Sequence, residues 1–157
     1  MMKKKGFLLA EETLKMILAV IAIGFLAFFL TSLYFNSVDN QNRIKAESSL
    51  ERLKDVIMNE EVSTEVVSDI TPAGWNLFSF VGEKKPNSCS GENCLCICND
   101  VIDTILFVTD RQIKECDGKG ICEIVPELED FGEIKIERPS VSVEVLKSES
   151  KVIIRKK

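Results

Sequence analysis

Histidine is absent from the 157-residue chain. With it go Ser-His-Asp and Cys-His nucleophile systems, imidazole metal sites and a histidine pH switch. The chain also lacks a glycine-rich phosphate loop, a nucleophile elbow and paired catalytic carboxylates. It has no basic surplus, since 20 Lys and Arg face 25 Asp and Glu, and a nucleic-acid binder needs a basic face to release counterions from phosphate. A protein that is not an enzyme, binds no nucleic acid and carries no cofactor is therefore expected. The remainder is that of an ordered chain, 45% hydrophobic and 29% charged, with length for one modest domain and an appendage.

Twenty residues from Met16 to Phe35, MILAVIAIGFLAFFLTSLYF, carry no charge. As a helix this run spans about 30 Å, one hydrocarbon core. A buried helix of a soluble core keeps a polar stripe, and this run is apolar all round. Lys3, Lys4 and Lys5 precede it, so the positive-inside bias holds the N-terminus in the cytoplasm and sends everything after Phe35 outward. The exported part has 16 basic against 23 acidic residues, a net −7, and such a surface does not hug anionic lipid. The expected location is the cell membrane, crossed once, with an extracytoplasmic head.

Between the lysines and the apolar run lies GFLLAEETLK, with Glu11, Glu12 and Lys15 at or inside the membrane boundary, where acidic groups are expensive and point to function. Lys-Lys-Lys-Gly-Phe followed by a Glu and a long apolar helix resembles the class III signal peptide of type IV pilins, pseudopilins and archaeal pilin-like proteins. The likeness covers about the first thirty-five residues. It implies that a prepilin-type peptidase cuts after Gly6, that Phe7 becomes the new amino terminus, and that Glu11 is the fifth residue of the mature chain. It further implies a surface filament or secretion or adhesion assembly whose subunits meet through this helix in the lipid bilayer. An α-amino group on Phe7 and a carboxylate on Glu11 are each costly alone in lipid; paired between subunits they satisfy each other and set the stagger of the helices. Glu12 and Lys15 depart from the family's uniformly apolar segment. Lys15 follows Glu11 by four residues and Glu12 by three, a spacing that neutralises a carboxylate within one helix. That points to the alternative, an uncleaved single-pass anchor bearing an extracytoplasmic binding or sensor domain.

Beyond Phe35 the chain turns polar but keeps Ala46, Leu50, Leu53 and Ile57 at helical spacing, a stripe that predicts an amphipathic helix over 36–60 packed on its own head. Arg43 to Glu47 and Glu51 to Lys54 are spaced for ion pairs on the other faces. A head over 61–157 follows, with an ambiguous stretch at Glu61 to Ile70 and a turn at Thr71-Pro72-Ala73-Gly74. Trp75 to Val81 reads as a strand or an aromatic-rich loop, and strands are predicted at Thr104 to Thr109, Ile134 to Glu137, Val141 to Leu146 and Lys151 to Arg155, the last two joined as a hairpin through Lys147 to Ser150. The fold class is α+β: a long N-terminal membrane helix continuing into an amphipathic one, then a small antiparallel disulfide-stapled head. Trp75, Phe78 and Phe80 are expected in the core rather than in a surface contact patch.

All six cysteines fall in the head, at Cys89, Cys94, Cys96, Cys98, Cys116 and Cys122, where an oxidising compartment permits disulfides. Cys116 and Cys122 flank the turn-forming Asp117-Gly118-Lys119-Gly120, so opposed on two strands they would bridge a hairpin. In Cys94-Leu95-Cys96-Ile97-Cys98 a strand throws all three sulfurs onto one face, and their partners are expected elsewhere. Six cysteines allow fifteen connectivities. The spacing is poor for zinc or an iron–sulfur cluster, which favour paired C-x2-4-C knuckles or C-x2-C-x2-C runs, and no C-x-x-C redox pair is present. Disulfides and no metal are expected. Asp100, Asp103, Asp110 and Asp117 lack calcium-loop spacing and are expected to form turns.

Overall fold

The computed structural model of the chain describes residues 4–59, 63–99, 108–148 and 150–157, without the side chains of 4–11 and 108–111. The chain divides into two units between Asn40 and Gln41. One helix, α1 (Lys4–Met58), crosses that division. No proline precedes Pro72 and the only glycines before it are Gly6 and Gly24, so nothing between Lys4 and Met58 interrupts the i to i−4 ladder. The helix closes with the Asn59 N–H on the Asp55 carbonyl, 3.1 Å.

The unit from Gln41 onward is α+β. Three strands, β1 (Thr64–Ile70), β6 (Val141–Ser148) and β7 (Lys151–Lys156), form an antiparallel sheet in the order β1-β6-β7. Four others, β2 (Trp75–Phe80), β3 (Cys94–Asn99), β4 (Ile121–Ile124) and β5 (Glu133–Lys135), form a second sheet in the order β4-β3-β2-β5. A helix, α2 (Val108–Lys119), lies between β3 and β4 in the chain.

Alternation explains the first sheet. Val141, Val143 and Val145 are buried, and β7 returns Val152 and Ile154 to the same core, as period-two side-chain placement requires. The hairpin is tighter than the sequence suggests: Ser148 pairs with Lys151, so Lys147 and Ser148 belong to β6.

The predicted stripe on α1 lands on this core. Ala46, Leu50 and Leu53 are fully buried among residues of both sheets, with Val56 and Ile57 half-buried beside them. Polar contacts fix the register. Arg52 donates to the carbonyls of Ser68 (3.3 Å) and Asp69 (2.8 Å), and the Thr71 N–H donates to the buried Ser49 hydroxyl at 3.0 Å. These contacts gather the irregular end of β1, where Asp69 has φ 59° and the pairing with β6 shifts. Lys54 reaches Glu123 on β4 at 2.7 Å, a longer-range partner than the local Glu51 that its spacing suggested.

The second sheet has two dry faces. Trp75 and Leu77 of β2, with Leu95 and Ile97 of β3, join the large core. Phe78, Phe80, Cys94, Cys96 and Cys98 point the other way into a second core shared with Cys89 and Cys116. All three aromatic residues are buried, on opposite faces, so they form no common surface patch.

Three expectations are overturned. Val108 and Thr109, assigned to a strand from Thr104, open α2 instead, while positions 104–107 lie outside the described residues. Cys116 to Lys119 is the end of that helix rather than a turn, so Cys116 and Cys122 do not face each other across a hairpin. Asp110 and Asp117 likewise lie in the helix; Asp100 and Asp103 fall outside the described residues.

Candidate functional site

Two features carry chemistry. The first is the N-terminal segment of α1, in which every residue from Glu12 to Asn40 is exposed. This is one helix long and apolar enough to cross a membrane, and none of its most apolar stretch is buried within the protein. Phe25, Phe28 and Val20 are each about seven-tenths exposed, which in water is a large unfavourable apolar area. The Thr31 hydroxyl donates to the Ala27 carbonyl at 2.7 Å, so its proton is satisfied within the helix itself. Tyr34 and Phe35 stack edge to face at 5.8 Å, at the end of the apolar run. Gly6, Phe7 and Glu11 have helical backbone; their side chains lie outside the described residues.

The second feature is the cysteine face of the second sheet. Three disulfides join Cys89 to Cys94, Cys96 to Cys122 and Cys98 to Cys116. As β3 predicts, Cys94, Cys96 and Cys98 share one face and none bonds another. Cys122 is directly opposite Cys96 in the β3–β4 register. Continuing that register places Gly120 opposite Cys98, and there Cys116 reaches in from α2. Gln112 braces the junction, its amide donating to the Asn99 carbonyl at 2.8 Å while lying 3.5 and 3.6 Å from the sulfurs of Cys98 and Cys116.

Gly120 is where the helix meets the sheet. A Cβ there would stand 2.6 Å from the Cys98 Cβ and 2.8 Å from the Cys116 carbonyl oxygen. Both obstacles belong to a closed disulfide loop and cannot swing aside. Gly120→Ala is expected to lower stability by about 2 kcal/mol through overpacking, read by denaturant titration of Trp75 fluorescence. Trp75 is the only tryptophan and is buried in the head.

Asp117 ties α2 to the 3₁₀ turn Asn87–Cys89. Its carboxylate accepts from the N–H and side-chain amide of Asn87 (2.9 and 2.7 Å) and from the N–H and hydroxyl of Ser88, both at 3.0 Å. Partial burial pushes its pKa up, but the four hydrogen bonds outweigh this and hold the carboxyl below its ordinary value. Being depressed in the folded state, it adds stability that is complete above the unfolded carboxylate pKa of about 3.9. That stability disappears as the pH falls through the folded value. Asp117→Asn is therefore expected to cost about 1 kcal/mol at neutral pH, and the gap to wild type should close below about pH 4. Equilibrium denaturation at a series of pH values checks this. The Ser79 hydroxyl and the Gly132 N–H hold Asp130 low as well, so the variant keeps part of the acid sensitivity.

The sulfurs of Cys89, Cys94 and Cys96 all lie within 4.8 Å of one another, a convergence that sequence spacing did not reveal because it depends on the 3₁₀ turn folding back over β3. Comparison with protein-family models, with curated proteins and with solved structures gives no match.

Proposed function

We propose that this chain is a non-enzymatic, pilin-like subunit of a surface filament or a secretion or adhesion assembly. In this reading it is exported through α1, cut after Gly6, and assembled through the exposed apolar helix. The observation that carries it is the order of parts along the chain: Lys-Lys-Lys-Gly-Phe, then Glu11, then a membrane-length apolar stretch, then a helical segment that packs on a disulfide-bonded α+β head. Three disulfides suit an oxidising compartment and so support an outward head.

Intact mass of the detergent-extracted protein tests the processing step, a chain that starts at Phe7 being the expected species and one that retains Lys3 to Lys5 speaking for the uncleaved anchor. Glu12 and Lys15 favour that second reading, an anchored binding or sensor module, because they allow charge to be balanced inside one helix. For the assembly role, Glu11→Ala is expected to reduce recovery of high-mass assemblies at least tenfold, since an unpaired terminal amine in lipid is costly by several kcal/mol. The thermal unfolding of the head should stay unchanged, and undiminished assembly would remove Glu11 from the mechanism.

A further inference from the structure

We infer that the head has a second closed state, in which the thiolates of Cys89, Cys94, Cys96 and Cys122 together bind one zinc-class divalent ion once their two disulfides are reduced. The inference stands on the geometry of the head alone and does not depend on the membrane reading. Cys94 and Cys96 are the key pair, with their sulfurs 3.9 Å apart although each is bonded elsewhere. A tetrahedral zinc tetrathiolate has sulfur–metal bonds of about 2.3 Å and therefore sulfur–sulfur edges of about 3.8 Å. The pair already stands at that edge. The two cannot easily bond each other, because two residues along a strand separate their Cα atoms by about 6.6 Å, near the outer limit for a disulfide.

Cys89 completes the group of three sulfurs within 4.8 Å of one another, and Cys122, bonded to Cys96 and so adjoining one of the three, supplies the fourth ligand in this proposal. The ligands come from three elements, the 3₁₀ turn, β3 and β4. Cys89, Cys94 and Cys96 are fully buried, and buried thiolates need a compensating cation. The half-buried Cys122 gives a reductant its approach. A dithiol supplies two electrons and two protons to each bridge and itself closes to a cyclic disulfide. Two such reactions yield four thiols, and binding one divalent ion then releases four protons.

The test uses the full chain in detergent micelles, reduced anaerobically with a water-soluble phosphine, which gives two electrons to each bridge and becomes its oxide with oxygen from water, the same water supplying the two thiol protons. Cobalt(II) is the probe. With no histidine in the chain, thiolate-to-cobalt charge-transfer absorption can arise only from the six cysteines. One cobalt per chain with tetrahedral thiolate absorption is expected, displaced by one equivalent of zinc, and the unreduced protein should give none. Cys98→Ala/Cys116→Ala should keep the full signal, whereas Cys94→Ala should weaken cobalt binding at least tenfold and change its spectrum. Absence of stoichiometric absorption from the reduced wild type overturns the proposal, whether or not circular dichroism shows the reduced head still folded. So does equal binding by Cys94→Ala.

Discussion

Removing Cys96–Cys122 and Cys98–Cys116 together, by alanine at all four positions, is expected to destabilise the head by more than the two single removals add up to. The two bridges are nested: one spans 26 residues and encloses the other, which spans 18. While either bridge stays closed it shortens the loop that the other must close, so each single loss is partly cushioned. On the chain-entropy relation each single removal costs about 2.5 kcal/mol and the double removal about 6 kcal/mol, leaving a coupling of about 1 kcal/mol. That total is comparable with the whole stability of an ordinary domain, so the quadruple variant should be largely unfolded at physiological temperature. Denaturant titration of Trp75 fluorescence in the four proteins gives the cycle, and strict additivity would contradict the nested-loop account.

Leu53→Ala carries the second large effect. Leu53 is fully buried and, with Ala46 and Leu50, forms the stripe by which α1 enters the head core. Truncation removes three heavy atoms and leaves a space bounded by two sheets that pack on each other, which collapse poorly. A loss of about 3 kcal/mol is expected, as for other buried leucines cut back to alanine. Ile44→Ala is the control: it is on the same helix but largely exposed, and should change stability by less than about 0.5 kcal/mol. Equal losses in the two variants would mean that α1 helicity, not docking, is what the head requires.

What could be read from the chain beforehand follows period and what could not follows register. The stripe Ala46-Leu50-Leu53-Ile57 and the alternation Val141-Val143-Val145 each express a face that must be dry, and both lie where the pattern puts them. The sulfurs of Cys94, Cys96 and Cys98 were assignable to one face for the same reason. Their partners were not, because opposition of Cys96 and Cys122 is set by how β3 aligns with β4, information that neither strand holds alone. The segment from Val108 to Gly120 misled in a different way. Asp117, Gly118 and Gly120 have the composition of a turn. In the fold Asp117 instead binds the 3₁₀ turn from within α2, and Gly120 is small because a helix and a strand meet there. Glycine at a close approach and glycine in a turn are indistinguishable until the neighbour is known. The proposed processing and assembly positions Gly6, Phe7 and Glu11 stand on the resemblance of the N-terminal motif, since the roles proposed for them would be played against a peptidase and neighbouring subunits.

In the proposed reading, α1 holds its lysine-bearing end in the cytoplasm and delivers the disulfide-bonded head outside. The most direct test of that reading is protease added to intact cells expressing the protein with an epitope after Lys157. The epitope and head fragments should be lost from the cells while a cytoplasmic marker survives. Full protection of the epitope until the membrane is lysed would place the head inside and contradict the account.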